Sequence, residues 1–140
     1  MSADIIAALV AHLKADAGVA ALAGTRVVGI ELPQSQVPDM PRKCVVLQPS
    51  GGVSPIGGYA RHTGQRIDAV SWGETPFEAE TLRRAVFAAF KPLQRATING
   101  VLVHWVADGG GAVSRRDPDT GWPAAVQSFQ AFYAEEEVES

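Results

Sequence analysis

The side chains best suited to catalysis or metal binding are dispersed along this chain. The residues that could ligate a metal or act as a nucleophile are His12, His62, His104 and Cys44. Their spacing matches no zinc motif, and one cysteine cannot form an internal disulfide. Cys44 stands in an apolar run and His12 beside the apolar stripe of a predicted helix, so we interpret both as structural residues. We therefore expect no bound metal.

The glycine-rich stretch around Ser54 does not complete a catalytic or nucleotide-binding motif. Ile56 stands where a nucleophile elbow requires its second glycine. The glycines at positions 51, 52, 57 and 58 do not follow the dinucleotide-binding or Walker spacing. The carboxylates that could serve as general acid or base cannot be paired from the sequence; they are Glu31, Asp39, Asp68, Glu74 and Asp108. We expect no cofactor, and we favour binding over catalysis.

Two long predicted loops carry the side chains that most often anchor protein interfaces. The loops run from Pro49 to Gly64 and from Asp108 to Pro123. Loops longer than about 12 to 15 residues in a compact domain are usually functional or disordered, and arginine and aromatic residues are enriched at interface hot spots. The predicted partner-binding residues are Tyr59, Arg61 and His62 in the first loop and Arg115, Arg116 and Trp122 in the second.

The first half of the chain predicts a helix followed by strands. Apolar residues repeat at helical spacing between Ala3 and Ala15, with Ser2 as the expected N-cap, and Gly18 interrupts this helix before a short helical turn. Strands are predicted at Val27 to Ile30, Cys44 to Leu47 and Gln65 to Trp72. The segment between the first two strands contains prolines at positions 33, 38 and 41, so we expect no regular strand within that segment.

The second half predicts a firmly capped helix and a hairpin. Thr75, Pro76 and Glu78 form a capping box with proline at the first helical position, and the helix should end at Pro92. Asn99-Gly100 predicts a tight turn between a short strand and a longer one, and Ala124 to Tyr133 a last strand. This order indicates an α+β fold, a mainly antiparallel sheet of about four to six strands with two main helices packed on one face.

Composition is typical of one folded domain. The chain has 140 residues, of which 46% are hydrophobic and 19% charged, and no apolar stretch is long enough to span a bilayer. We expect no membrane partner. The net charge of −3 depends on four glutamates at positions 135, 136, 137 and 139. We therefore predict a single domain over residues 1–134 and a flexible acidic tail over residues 135–140.

The order and residue composition of several segments resemble those of a family of viral proteins. The N-terminal helix ends in Ala-Leu-Ala-Gly-Thr-Arg at residues 21–26, and a proline-rich segment leads into the strand from Cys44 to Gln48. Further on, the passage from Arg66 to Trp72, with Asp68, precedes the helix that starts near Phe77. Over most of residues 4–133 this series resembles the small tail-completion, or tail-terminator, proteins of long-tailed bacteriophages.

The resemblance implies a structural protein of the virion rather than an enzyme. Such a protein is expected to assemble in the host cytoplasm and to cap the head-proximal end of the tail tube as a hexameric ring. It stops tube polymerisation and offers a surface for head attachment. Its implied partners are further copies of itself, the tail tube protein and a head-completion protein, while DNA passes through the lumen without sequence-specific binding. The alternatives are another head–tail connector or neck protein, a cellular α+β binding domain and, least supported, a small hydrolase.

Overall fold

The computed structural model describes residues 4–32, 34–53 and 62–135, which form three α-helices and seven strands. The helices are α1 (Ile5–Ala15), α2 (Ala17–Ala23) and α3 (Pro76–Phe90), and a 3₁₀ helix spans Gln34–Asp39. The strands are β1 (Val27–Gly29), β2 (Cys44–Val53), β3 (His62–Trp72), β4 (Gln94–Ile98), β5 (Val101–Asp108), β6 (Val113–Arg116) and β7 (Pro123–Glu135).

All seven described strands belong to one mixed sheet. The strand order is β1-β2-β3-β7-β5-β4. Strand β6 is not part of this order and pairs with β7. Strands β1 and β2 are parallel, and every other pair is antiparallel. The mainly antiparallel sheet that the sequence predicts is therefore confirmed, with one parallel pair that it did not predict and with one strand more than expected.

The two N-terminal helices begin at aspartates. The Asp4 carboxylate accepts the N–H of Ile6 at 2.9 Å, so α1 starts at Ile5 and not after Ser2 as predicted. Asp16 separates the helices, because its carboxylate accepts the N–H of Val19 at 3.0 Å and caps α2. The break therefore lies at Asp16, whereas Gly18 is inside α2. No single described helix is long and apolar enough to cross a membrane. The helices α1 and α2 reach the necessary length and hydropathy only when taken together, and the chain bends by 85° between them.

Helix α3 begins as its sequence predicts. Thr75 Oγ1 accepts the N–H of Glu78 at 3.1 Å, and Pro76 is the first helical residue. The Glu78 carboxylate returns to the N–H of Glu74 at 3.1 Å, one residue earlier than in the usual reciprocal box. The helix buries one apolar stripe, formed by Ala79, Leu82, Val86, Ala89 and Phe90.

Buried residues fall into a larger and a smaller cluster. The larger cluster joins the apolar stripes of the three α-helices to strand residues such as Val45, Ile67 and Phe129. The smaller cluster contains no α-helical residue; it consists of Cys44, Val46, Val70 and Ala124, with Val28, Leu32, Met40, Trp72 and Val126 packed against them. Adjacent strand residues such as Val45 and Val46 belong to different clusters, because successive side chains point to opposite faces of a sheet.

Both long loops predicted from the sequence contain paired strand. Strand β2 continues through the glycines to Val53, which pairs with Gly64 of β3 across a register shift after Pro49. In the second loop, β6 pairs with the first residues of β7. The prediction of irregular structure was wrong for residues 50–53, where β2 continues beside β3. It was also wrong for residues 113–116, because β7 is 13 residues long and offers an edge beyond the end of β5. Residues 54–61, and residues 136–140 of the predicted acidic tail, lie outside the described residues.

Candidate interaction site on the β6–β7 hairpin

The structure brings together three of the six predicted partner-binding residues. Arg115 and Arg116 end β6, and Trp122 immediately precedes β7. Tyr59 and Arg61 lie outside the described residues. His62 is the first residue of β3 and pairs with Ala134, far along β7 from the other group. The candidate site is therefore the hairpin formed by β6, residues 117–122 and the start of β7.

Strand pairing presents the two arginines on opposite faces of this hairpin. Arg115 pairs with Ala124, which in turn pairs with Trp72 of β3, so Arg115 lies on the face of the smaller apolar cluster. Arg116 pairs with Pro123 and donates from Nη1 to the carbonyl oxygen of Gly121 at 2.9 Å. Both arginine side chains are exposed. The hairpin thus presents one positively charged side chain on each of its two faces.

The turn is held by the carboxylate of Asp117. Its Oδ2 accepts the N–H of Asp119 at 3.1 Å, and the N–H and hydroxyl of Thr120, both at 2.9 Å. The Asp117 N–H donates to the carbonyl oxygen of Trp122, and Gly121 has a positive φ of 75°, which glycine adopts without strain. Hydrogen bonds from Thr120 are the main cause that lowers the pKa of Asp117. The turn is therefore held by hydrogen bonds within the hairpin itself.

The Trp122 side chain packs against the sheet. Its ring meets Trp72 edge to face at right angles, with the centroids 5.8 Å apart, and both side chains are half-buried. Edge-to-face aromatic pairs contribute beyond their buried area. The indole of Trp122 thus packs the hairpin against β3, while the side chains of Arg115 and Arg116 are exposed to solvent.

A small pocket opens between the hairpin and the chain that follows β1. Its volume is about 220 Å³, and its apolar lining includes Val46, Val70 and Trp72. Charged side chains also line it: Glu31, Arg115 and Asp117. An apolar floor beneath a few charged groups is the lining that binding pockets commonly have.

Two of the residues that could ligate a metal or act as a nucleophile, His12 and Cys44, are packed within the fold. No group of three or more His, Cys, Asp or Glu side chains in the described part of the chain could hold a metal ion. His12 donates from Nε2 to the carbonyl oxygen of Ala89 at 2.8 Å and stacks on Phe90. Burial is the main influence on Cys44 and raises the pKa of its thiol to about 11, so the reactive thiolate is scarce at neutral pH.

One polar network was not foreseen from the sequence. Arg83 of α3 forms an ion pair with Glu80 and donates from Nη1 to Gln127 Oε1 at 2.6 Å. Gln127 is buried in β7, and its amide donates to Asp108 Oδ1 at 3.1 Å. The hydrogen bond from Arg83 is the largest effect lowering the pKa of Glu80. The helix spacing places Glu80 beside Arg83, but only the tertiary fold places Gln127 within reach.

Comparison with known proteins assigns this arrangement to a family. The sequence pattern of the family described as "Tail completion protein gp17" matches residues 7–134. A solved structure described as "Virion of native gene transfer agent (GTA) particle" has a similar fold, with a TM-score of 0.71 and 20% sequence identity. The similarity covers 93% of this chain and 94% of that one. No curated protein sequence matches the chain. The chain belongs to the tail completion protein gp17 family and is a structural, non-enzymatic protein of a phage tail.

Proposed function

We propose that the protein is a tail terminator, which caps the tail tube as a ring, stops its polymerisation and provides the surface to which the head attaches. The observation that carries the proposal is the family match over residues 7–134. The proposed ring has six copies and lies at the head-proximal end of the tail after assembly in the host cytoplasm. Its partners are neighbouring copies, the tail tube protein and a head-completion protein, and DNA passes through its lumen without sequence-specific contacts.

The two clusters of buried residues support this role by leaving surface for partners. We propose that the helices pack on one face of the sheet, since the larger cluster holds their apolar stripes and the smaller cluster has no α-helical residue. The opposite face then remains available for assembly around the pocket beside Arg115. A ring also needs two different faces that meet when neighbours are related by a closing rotation, and this asymmetric fold supplies distinct surfaces.

The β6–β7 hairpin is the proposed contact to a neighbouring subunit or a tail component. Arg115 and Arg116 are exposed, and neither lies within 4.0 Å of a described carboxylate. The pKa of Asp117 is lowered mainly by the hydrogen bonds from Thr120, and the charge of Arg115 also contributes to this shift. A guanidinium can form two parallel hydrogen bonds to one carboxylate, which gives geometric specificity across an interface. Because the turn is fixed by Asp117, binding would order few additional side chains.

A charge reversal tests this contact. The double variant Arg115→Glu, Arg116→Glu should fold but lose ring assembly and give tails of irregular length, because carboxylates would replace the cations at the interface. Ring mass is measured by light scattering and tail length by electron microscopy after complementation. The matched control is Lys91→Glu, Arg95→Glu, which makes the same change of charge at two other exposed positions.

The outcomes separate the proposal from its alternatives. If the hairpin variant still forms rings and tails of uniform length, the hairpin is not part of the interface. The proposed contact would then be assigned to Arg61 and His62. Tails of uniform length in particles that assemble without this protein would contradict the terminator role. A head–tail connector or neck protein would instead give normal tails that fail to join heads.

A further inference from the structure

Ile30 combines a strained backbone with an exposed apolar side chain. Its N–H donates to the carbonyl oxygen of Leu47 at 2.8 Å and its carbonyl oxygen accepts from Gln48 Nε2 at 3.2 Å, so the fold holds the backbone of Ile30 but leaves its side chain uncovered. Its φ is 73°, and the N–H of Glu31 donates to the carbonyl oxygen of Gly29 at 2.9 Å, so Ile30 is the central residue of a classic γ-turn. This region is unfavourable for a β-branched residue. The side chain is nevertheless 56% exposed. Strain of this kind clusters at functional positions.

Ile30 forms one wall of an apolar groove between β1 and α1. The groove has a volume of about 390 Å³ and its apolar lining is Ile6, Ala7, Val10, Ala11, Gly29 and Ile30. The helix packs closely against β1, since a Cβ on Gly29 would lie only 2.7 Å from Ile6 Cγ2. Asp4 and Lys14 also line the groove, ten residues apart along α1, which is about 15 Å at the helical rise.

Phe77 is a second unexplained apolar side chain. It lies in the first turn of α3, is 81% exposed and makes no ring contact with any other described residue. Glu74 precedes the helix, and Arg84 follows Phe77 by two turns and is 75% exposed. Glu74 lies before the extended N-cap Thr75, and Arg84 lies within the helix with its Nε 3.5 Å from Glu80 Oε1. Phe77 therefore lies between an acid on its N-terminal side and a base on its C-terminal side, the same order as Asp4 and Lys14 along α1.

We infer that α3 of one copy docks antiparallel to α1 of another, with Phe77 in the α1–β1 groove against Ile30. An antiparallel arrangement sets Glu74 against Lys14 and Arg84 against Asp4, so both ends attract. The groove has room for a phenyl ring, and its two exposed or half-buried alanines allow close approach. The two surfaces share no residue, so the contact is heterologous and can generate a ring. The inference rests on the proposed terminator ring and names one of its subunit interfaces.

The substitution Ile30→Gly tests this contact, because glycine relieves the backbone strain while removing the side chain. The melting temperature should be at least maintained, whereas the concentration needed for half-maximal ring assembly should rise by about tenfold or more, as for an interface hot spot. Phe77→Ala should have the same effect. The matched control is Val37→Thr, whose original side chain is also apolar, is 38% exposed and lies in neither proposed contact. Light scattering on the purified chain, alone and with tail tubes, measures assembly.

A charge exchange adds a second test. Lys14→Glu and Glu74→Lys should each weaken assembly, and the combined variant should restore it. Unchanged assembly in Ile30→Gly and Phe77→Ala would overturn this interface, while uniform tails made by the same variants would leave the terminator role intact. Binding of a different tail protein in the groove while rings persist would also overturn it. A wild-type chain that forms no ring and does not limit tail length would overturn both.

Discussion

Single side chains decide where the helices of this protein begin and how its hairpin turns. Asp4, Asp16 and Thr75 each accept a backbone N–H in the first turn of a helix. Asp117 does the same for the turn after β6. Such short polar groups satisfy donors that have no partner within the helix itself. The role of Thr75 as the N-cap of α3 was predictable from local sequence. For α1, the sequence could not decide between Ser2 and Asp4, because either residue type can cap a helix.

The Thr75 cap should make a measurable contribution to stability. Replacing Thr75 with alanine removes the acceptor for the Glu78 N–H and should lower the free energy of unfolding by about 1 kcal/mol. Urea denaturation monitored by circular dichroism measures the change. An unchanged midpoint would show that the cap contributes nothing, and Thr81→Ala, at an exposed position inside the helix, serves as the control.

The Asp117 turn should depend on pH. Its carboxylate is stabilised by hydrogen bonds in the folded hairpin, so its pKa lies below the ordinary value of 3.8. Because the folded pKa is the lower one, the stabilisation is complete above the ordinary value and is lost as the pH falls through the folded pKa.

NMR can measure this effect at one residue. The chemical shift of the Thr120 amide proton should follow the titration of Asp117. At low pH it should move to the value of an amide that is not hydrogen-bonded to a carboxylate. The variant Asp117→Asn should abolish the titration, while Asp119→Asn, which removes a carboxylate not engaged in the turn, should leave it in place. A Thr120 amide that titrates at the ordinary value would contradict the assignment.

At the scale of elements, predictions succeeded where the signal is local. Helix α3 has a cap, a proline at its first position and an apolar stripe within one segment, and it spans nearly the predicted range. The Asn99-Gly100 turn likewise lies between β4 and β5 as predicted. Strand β6 was missed because all four of its residues are exposed and its existence depends on an edge of β7 that lies elsewhere in the sequence.

The apolar stripe of α3 should account for much of the core energy. Leu82 is fully buried within the larger cluster, so Leu82→Ala should reduce the free energy of unfolding by about 2 to 5 kcal/mol through lost contacts and a cavity. Chemical denaturation measures this loss. A reduction below about 0.5 kcal/mol, the range of surface substitutions, would mean that Leu82 does not fill the core.

At the scale of the whole molecule, the order of elements predicted the family, while the surfaces were not predictable. The passage from Arg66 to Trp72 followed by α3 was recognisable without tertiary structure. The strain at Ile30 and the isolation of Phe77 could not be inferred, because backbone torsion and exposure follow from packing between distant segments. The prediction that Trp122 binds a partner stays a prediction, and its packing on Trp72, which joins the hairpin to the sheet, could not be inferred from the sequence either.

The central claim is that this chain ends the growth of a tail tube. The most direct measurement follows tube length by electron microscopy while purified tail tube protein polymerises with and without the chain. We predict that added chain halts elongation at substoichiometric amounts and is found as a ring at one end of each tube. Tubes that continue to lengthen at the same rate with the chain present in excess would contradict the account.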